Sequence, residues 1–477
     1  YAGTSQRYSQ RVLVSEAVVR GWDIATTDIS KAFLQGVTYA ELAQITGERQ
    51  REVNFYLPAY NIPQLQQVPG FENFNPNEEV LHCDKPGTGS VDAPRCFSLK
   101  LSKVTKDCGL VPSNVDPELC YLHKDGVLIA MMTKHVDDLK CTGHRDVIIW
   151  VLGQVEKAFG NMKISWNCFT NCGIRHIQDV RTKEITLDQA EYIAGLKTIP
   201  IESYRGQSSN SKCESTLHLQ YMSLLGAVAF IALTRTDAVV FIVALQRFSH
   251  APLVIHVKRL NVLTKWLQAN PRKLCYRRFK LGPQHMKIIA DSSFKKEEEK
   301  GHSLRGVLLC RCEGDALTSG GPAHLLDHAA KALRFVTRST FSAELMGACD
   351  SFDVGLMILF ILAEVTNGVP SKSDARILRE QGGFPIPAAL YIDALSVFAA
   401  VTAAYIKPPA EKGLLAHVQF LRELLDNHVL SAIVWLDTRD MIADGMTKGS
   451  VERLALHLLM SGDLKFAHEP KLWKSLV

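Results

Sequence analysis

The sequence predicts an α+β protein built from more than one unit, and three observations predict it. At 477 residues the chain is too long for one ordinary hydrophobic core, so two or three domains are expected. Short apolar runs of extended character, several ending in an acid, occur near both ends of the chain, whereas helical spacing dominates its middle. Hydrophobic content of 47% with 22% charged residues belongs to a folded chain and excludes wholesale disorder. The cysteines are scattered. Their closest groupings, Cys168 with Cys172 and Cys310 with Cys312, lack a second pair at zinc spacing, so reduced and mostly buried thiols are expected. No secretory signal opens the sequence. Of the two most apolar runs, one is interrupted by Arg235 and Asp237, and the other, Val354 to Ala363, is too short to span a bilayer. An intracellular protein, cytoplasmic or nuclear, not secreted and without a membrane partner, is expected.

Residues Arg11 to Arg20 have helical apolar spacing and lead through Gly21 and Trp22 into an extended run ending at Asp28. Further on, two apolar runs flank Asp137 and Asp138, the pattern of a hairpin with adjacent carboxylates at its tip. Such a pair also suits a solvated turn, and Asp28 alone suits a helix cap. Like charges this close are tolerated when a cation neutralises them, and hard oxygen ligands suit magnesium or manganese. Three aspartates from two strand ends could hold two divalent ions for an in-line phosphoryl transfer.

From Leu196 to Thr216 the sequence turns irregular, with Pro200 and a polar run at Gln207 to Ser211, which predicts a linker. Helical patterns follow at Tyr221 to Leu233, Ala238 to Phe248 and Leu253 to Leu267. The net charge of +5 says little about partners, but its distribution says more. From Ala238 through Ala290 there is no Asp or Glu, while Arg247, Lys258, Arg259, Lys265, Arg272, Lys273, Arg277, Arg278, Lys280 and Lys287 all fall there. Such a stretch is the footprint of a polyanion-binding surface such as a nucleic-acid backbone would meet; the alternative is a solvated helix face.

The last part opens with an extended run, His285 to Asp291, ending in an acid. Runs at Leu304 to Cys312 and Ala332 to Thr337 could pair with it. A helix is expected to start near Thr340, with Glu344 in or near its first turn. A loop from Gly382 to Pro387 precedes a strand, Ala389 to Ile392, that again ends in an acid, Asp393. A final strand, Leu430 to Leu436, feeds a helix carrying Asp444. Each of these acids could simply cap a helix or turn. Their order, three strands, a helix acid, a strand acid and a late helix acid, resembles the layout of a ribonuclease H domain.

The text around these acids resembles the reverse transcriptase and ribonuclease H region of copia-type retrotransposon Pol polyproteins. Asp28 to Gly36 resembles the first catalytic motif, and His135-Val136-Asp137-Asp138 the aromatic-x-Asp-Asp motif. Between and beyond them, Val68 to Phe71, Ala93 to Arg95, Asp116-Pro117, Phe159 with Met162-Lys163, and Tyr221 to Asp237 resemble successive landmarks. Ser339 to Glu344, Arg422-Glu423 and Met441 to Lys448 resemble the nuclease portion.

The resemblance implies an α+β fold with a polymerase palm, truncated fingers and a helical thumb, followed by a ribonuclease H-like α/β domain with a mixed sheet. The expected domains are 1–200, 201–280 and 281–477. It further implies that Asp28, Asp137 and Asp138 serve one metal-dependent catalytic site, and Asp291, Glu344, Asp393 and Asp444 another, with magnesium or manganese as cofactor. Phe33, which as a residue also suits a core aromatic, would close over the nucleotide sugar, and Gly89 would lie near primer and nucleotide. The implied partners are an RNA template, a DNA primer, the RNA-DNA hybrid and deoxynucleoside triphosphates, and the implied location includes a cytoplasmic virus-like particle. Four departures stand out: His135 replaces Tyr, Asp92 replaces Gln, Ala394 follows Asp393 where Asn is common, and Gly413 follows Lys412 where His is. An added carboxylate at Asp92 is expected to weaken capture of an anionic triphosphate. A basic fingers segment is expected upstream of the first helix and is absent from this sequence, which predicts a weaker polymerase than nuclease. The rival readings are a fragment that keeps only nuclease activity and a decayed one that only binds nucleic acid.

Overall fold

The structure, a computed structural model, describes residues 3–280, 282–294, 303–333 and 336–476. It is α+β, with two large sheets, a small one between them and a helical bundle. The first large sheet has six strands, in the spatial order Val111–Pro112, Leu119–Lys124, Val127–His135, Asp138–Gly143, Asp23–Asp28 and Ser165–Trp166, all antiparallel. Its central strands alternate little because both faces are covered, so Leu128, Ala130, Met131 and Met132 are all buried. The helices Ala93–Asp107 and Arg145–Phe159 pack against each other beside it.

A four-stranded sheet follows, ordered Leu274–Tyr276, Ile185–Asp188, Ile174–Gln178 and Cys168–Asn171. In chain order its third and fourth strands, Ile185–Asp188 and Leu274–Tyr276, bracket the bundle of Ser215–Ile231, Val239–Gln246 and Val254–Ala269, so the chain leaves this sheet, forms the bundle and returns. The bundle has its own core, in which Tyr221, Val228, Leu260 and Leu267 are fully enclosed. Within it Arg235 is buried against Asp237 in a paired fork of bonds, both at 2.9 Å.

The second large sheet has seven strands: Asp463–Lys465, Gly320–Ala332, Leu304–Glu313, Gln284–Ser293, Ala388–Ile392, Ala432–Trp435 and Lys471–Trp473. Gln284–Ser293, Ala388–Ile392 and Ala432–Trp435 are parallel and the rest antiparallel. The expected strand from Ala332 to Thr337 is not where the third strand lies. Gly320–Ala332 takes that place, because its polar His324, Asp327 and His328 are buried against the first helix and so give no apolar run in the sequence. Residues 334 and 335 of the expected run lie outside the described residues.

Thr340–Asn367 is a helix of 28 residues, capped at Ser339 by a bond from the Ser342 amide. It is therefore much longer than the apolar run read from the sequence. By length and composition it could cross a membrane, yet it packs against Gln284–Ser293 and is mostly buried. Gly347 lets it approach, since a Cβ there would lie 2.0 Å from Ser292 Oγ.

The two large sheets share one core through the helix Arg7–Arg20, whose Val12, Leu13, Val14, Ala17 and Val18 are fully enclosed. Burying each of its larger side chains contributes about 1.5–3 kcal/mol. Its polar side chains meet the second sheet: Arg7 pairs with Asp327 at 2.6 Å, Ser15 bonds His324 at 2.8 Å, and Glu16 pairs with buried Arg311. All twelve cysteines are free, and seven are buried.

Candidate metal centres and basic surface

The first group of acids is assembled by strand register. Asp28 ends its strand directly opposite Asp138, and Asp138 pairs with His135 across the hairpin. Val136 turns that hairpin with φ of 60°, a left-handed conformation unusual for a β-branched residue, which sets Asp137 at the tip. The Ile29 amide bonds the Asp137 carbonyl at 3.3 Å, closing the two strand ends on each other. Asp28 is exposed and Asp137 and Asp138 are half-buried. What burial Asp28 has, reinforced by the charges of Asp137 and Asp138, raises its pKa. One Asp138 oxygen accepts from the Cys172 amide at 3.2 Å. Thus the three acids meet, but they do not form a tight oxygen cage.

Such a cage exists in the second sheet. Asp291, Glu344 and Asp393 offer carboxylate oxygens that all lie within 4.8 Å of one another, the one such acid, cysteine or histidine grouping among the described residues. Asp291 comes from Gln284–Ser293, Asp393 follows the adjacent parallel strand Ala388–Ile392, and Glu344 projects from the long helix packed over them. The Ser292 amide holds Glu344 at 3.1 Å. Burial, and then the neighbouring acids, push the pKa of Glu344 up; burial raises that of Asp291 too, with Lys448 opposing and Asp444 adding to it. Asp393 is raised likewise, by burial and Asp444. One oxygen of Asp291 is buried with no hydrogen-bond partner. Hard oxygens, mutual repulsion and a carboxylate oxygen with no hydrogen bond, only the Lys448 ammonium at 3.8 Å, are what a magnesium or manganese ion would satisfy, so these residues fit one.

Asp444 stands beside this trio rather than within it. It opens the short helix Asp444–Thr447, and its carboxylate is paired with Lys448, whose ammonium also lies 3.8 Å from Asp291. Thr447 donates its hydroxyl proton to Asp291. This close seating depends on Gly306, which is paired with Asp291 across the strands: a Cβ there would lie 2.6 Å from Met446 Cβ. Sequence reasoning missed Thr447 and Lys448 as site residues. The signal was present, because Lys448 follows Asp444 at the four-residue spacing that brings helical side chains together.

The remaining expectations divide. Phe33 is half-buried, edge-on to Phe97 at 6.4 Å, in the small core behind Asp28. Gly89 sits in an exposed loop at φ of 90°. Asp92 is ion-paired with Arg51, so its charge is offset locally. The basic stretch is less uniform than its sequence. Lys287 is buried, bonded to the Tyr391 hydroxyl at 2.7 Å and the Asp315 carbonyl at 3.1 Å, and so is no surface cation. Counter-charges come from elsewhere in the chain: Arg277 pairs with Asp463, and Arg272 lies 3.9 Å from Asp237. Lys258 is half-buried, its ammonium 3.0 Å from Ser209, whereas Arg247, Arg259, Lys265, Lys273 and Arg278 are exposed.

No protein-family model matches the chain. Two curated proteins of Arabidopsis thaliana are similar to it. The retrovirus-related Pol polyprotein from transposon RE1 is 22% identical over 459 residues, covering 92% of this chain and 27% of that protein. The corresponding polyprotein from transposon RE2 is 23% identical over 272 residues, covering 55% of this chain and 17% of its own length. The chain thus spans about a quarter or less of each relative. With acids gathered in both sheets and similarity over nearly its whole length, the chain is a relative of the retrovirus-related Pol polyproteins of copia-type transposons.

Proposed function

We propose that this chain is the reverse transcriptase and ribonuclease H portion of a retrotransposon Pol polyprotein. In this reading the first sheet with its flanking helices is a polymerase palm, the bundle a thumb and the second sheet a ribonuclease H-like domain, with boundaries near 200 and 280. The observation that carries it is the presence of separate acid groups, one at the Asp137 hairpin and one around Asp291. Asp28, Asp137 and Asp138 would hold divalent ions for attack of a primer 3′-hydroxyl on a deoxynucleoside triphosphate. Asp291, Glu344 and Asp393, with Asp444 alongside, would do so for hydrolysis of the RNA strand of a hybrid. When bound, magnesium or manganese supplies the positive charge that lowers the pKa of the attacking oxygen and stabilises charge on the phosphoryl group. The chain's own residues fix orientation: the Ser292 amide aims Glu344, Thr447 aims Asp291, and Lys448 partly offsets the acid charge. The exposed cations Arg247, Arg259, Lys265, Lys273 and Arg278 would position the nucleic-acid backbone without reading its sequence.

A nuclease-only reading has a specific observation in its favour, since among the described residues only the Asp291 group brings three carboxylates within 4.8 Å of one another. The test is primer extension on an RNA template and cleavage of a labelled RNA-DNA hybrid, each with magnesium or manganese. Both activities are expected. Cleavage without extension selects the nuclease-only reading, and binding without either activity selects a non-catalytic fragment.

A further inference from the structure

A roomy cavity, about 760 Å³, lies away from both acid groups, between the bundle and the segment that follows Asp444. That volume is typical of a site for a small organic ligand. Phe241, Phe248, Val262 and Trp266 give it an apolar wall, and two of them face solvent: Val262 is 67% exposed and Phe248 42%. No carboxylate lines it. Its charged lining residues are Lys258, Arg259 and Arg453, none ion-paired among the described residues. Apolar side chains left this open, rimmed by one sign of charge, mark a binding surface rather than a solvated face.

Arg453 also ties the cavity to the second acid group. Its guanidinium rests over the Phe241 ring at 4.9 Å and donates to the carbonyls of Gly445, Lys448 and Gly449, at 2.7, 3.1 and 3.3 Å. Those carbonyls belong to the turn that carries Asp444 and Lys448. Arg453 Nε is buried without a partner. An anion drawn to Arg453 would compete with those carbonyls and shift the turn.

We propose that this cavity binds a small amphipathic anion, an aromatic or alkyl body carrying one acidic group, and that occupancy is transmitted through Arg453 to the turn bearing Asp444. The apolar body fills the space among Phe241, Phe248, Val262 and Trp266, and the acidic group meets Lys258, Arg259 and Arg453. The consequence for RNA cleavage rests on the nuclease reading above, but the binding does not.

The test is a fluorescence titration of the full chain with anilinonaphthalene sulfonate and with N-phenylnaphthylamine, which has the same aromatic body without the charge. Saturable binding of the sulfonate is expected, at least about tenfold tighter than that of the amine. Val262→Trp, which narrows the cavity, and Arg259→Glu, which reverses one of its three charges, should each weaken the sulfonate by about tenfold or more. Both side chains are exposed, so circular dichroism should show an unchanged fold. Hydrogen exchange of residues 445–449 should change with the sulfonate bound. Equal affinity for the two dyes, or binding untouched by either variant, overturns the site. Binding of a single-stranded oligonucleotide that is weakened by Val262→Trp overturns the ligand class, making the cavity a base-stacking surface. Unchanged exchange at 445–449 overturns the link to Asp444. None of these readouts uses cleavage, so a failure of the nuclease reading is seen separately.

Discussion

The two acid groups bring carboxylates together in different settings. At the Asp137 hairpin they stand at the open end of a sheet, with Asp28 exposed, so water screens their repulsion and little is needed to keep them near one another. Around Asp291 they are enclosed by the long helix and by the turn that follows Met441, and their repulsion must be met by a proton, by Lys448 or by a cation. Enclosed carboxylates cost stability when nothing neutralises them, whereas open ones cost little.

Three substitutions sharpen that comparison. The largest effect is expected at the joint between the two sheets. Glu16→Gln leaves buried Arg311 unpaired, and breaking one side of a buried pair costs about 3–5 kcal/mol, read as a lowered denaturation midpoint. Burial opposes the charge on Glu16, but Arg311 and Arg20 outweigh it and hold the carboxyl below its ordinary value of 4.5. The unfolded chain therefore takes up the proton first. The stability from this pair is fully present above pH 4.5 and is lost as pH falls through the depressed folded value, so a urea midpoint measured against pH should fall more steeply in the wild type than in Glu16→Gln. Equal pH slopes would show that Glu16 carries no linkage.

A smaller loss, about 1–3 kcal/mol, is expected for Gly306→Ala, because its Cβ would press on Met446 and Thr447 and push the Asp444 turn off the sheet. Hybrid cleavage should fall while primer extension stays unchanged; equal losses in both would mean the effect is global.

The smallest change is a gain. Glu344→Gln removes a carboxyl whose pKa is raised by burial and by Asp291. A raised folded value means the folded chain binds the extra proton, so the Glu344 contribution falls as pH rises from the ordinary carboxyl value through the raised one. Without divalent ions the variant should be more stable than wild type near neutral pH, by about 1 kcal/mol. Thermal melts with manganese should show the reverse order, with wild type gaining and the variant gaining little. A destabilised metal-free variant would mean that the Ser292 bond outweighs the repulsion.

The elements that carry these acids were legible in the sequence, but the contrast between an open and an enclosed group was not. Asp28 and Asp393 each follow a short extended run, and Glu344 falls early in a helix, so type and order of element were readable from periodicity alone. What was not readable came from contacts between distant segments. The strand Gly320–Ala332 hid its position because His324, Asp327 and His328 are buried against polar residues of the first helix rather than against an apolar core. Lys287 read as a surface cation because nothing local announces the Tyr391 hydroxyl that receives it. Asp444 stands outside the compact trio, paired with Lys448, a matter of ångströms that spacing does not carry.

The central claim, two separate metal-dependent sites on one chain, is tested most directly by measuring primer extension and hybrid cleavage side by side in manganese for wild type, Asp137→Asn and Asp393→Asn. Each substitution keeps the side chain's size and removes a charge that, in this account, would hold the ion. The account predicts that Asp137→Asn loses extension and keeps cleavage, and that Asp393→Asn loses cleavage and keeps extension. Loss of both activities in either variant, or full cleavage in Asp393→Asn, would contradict it.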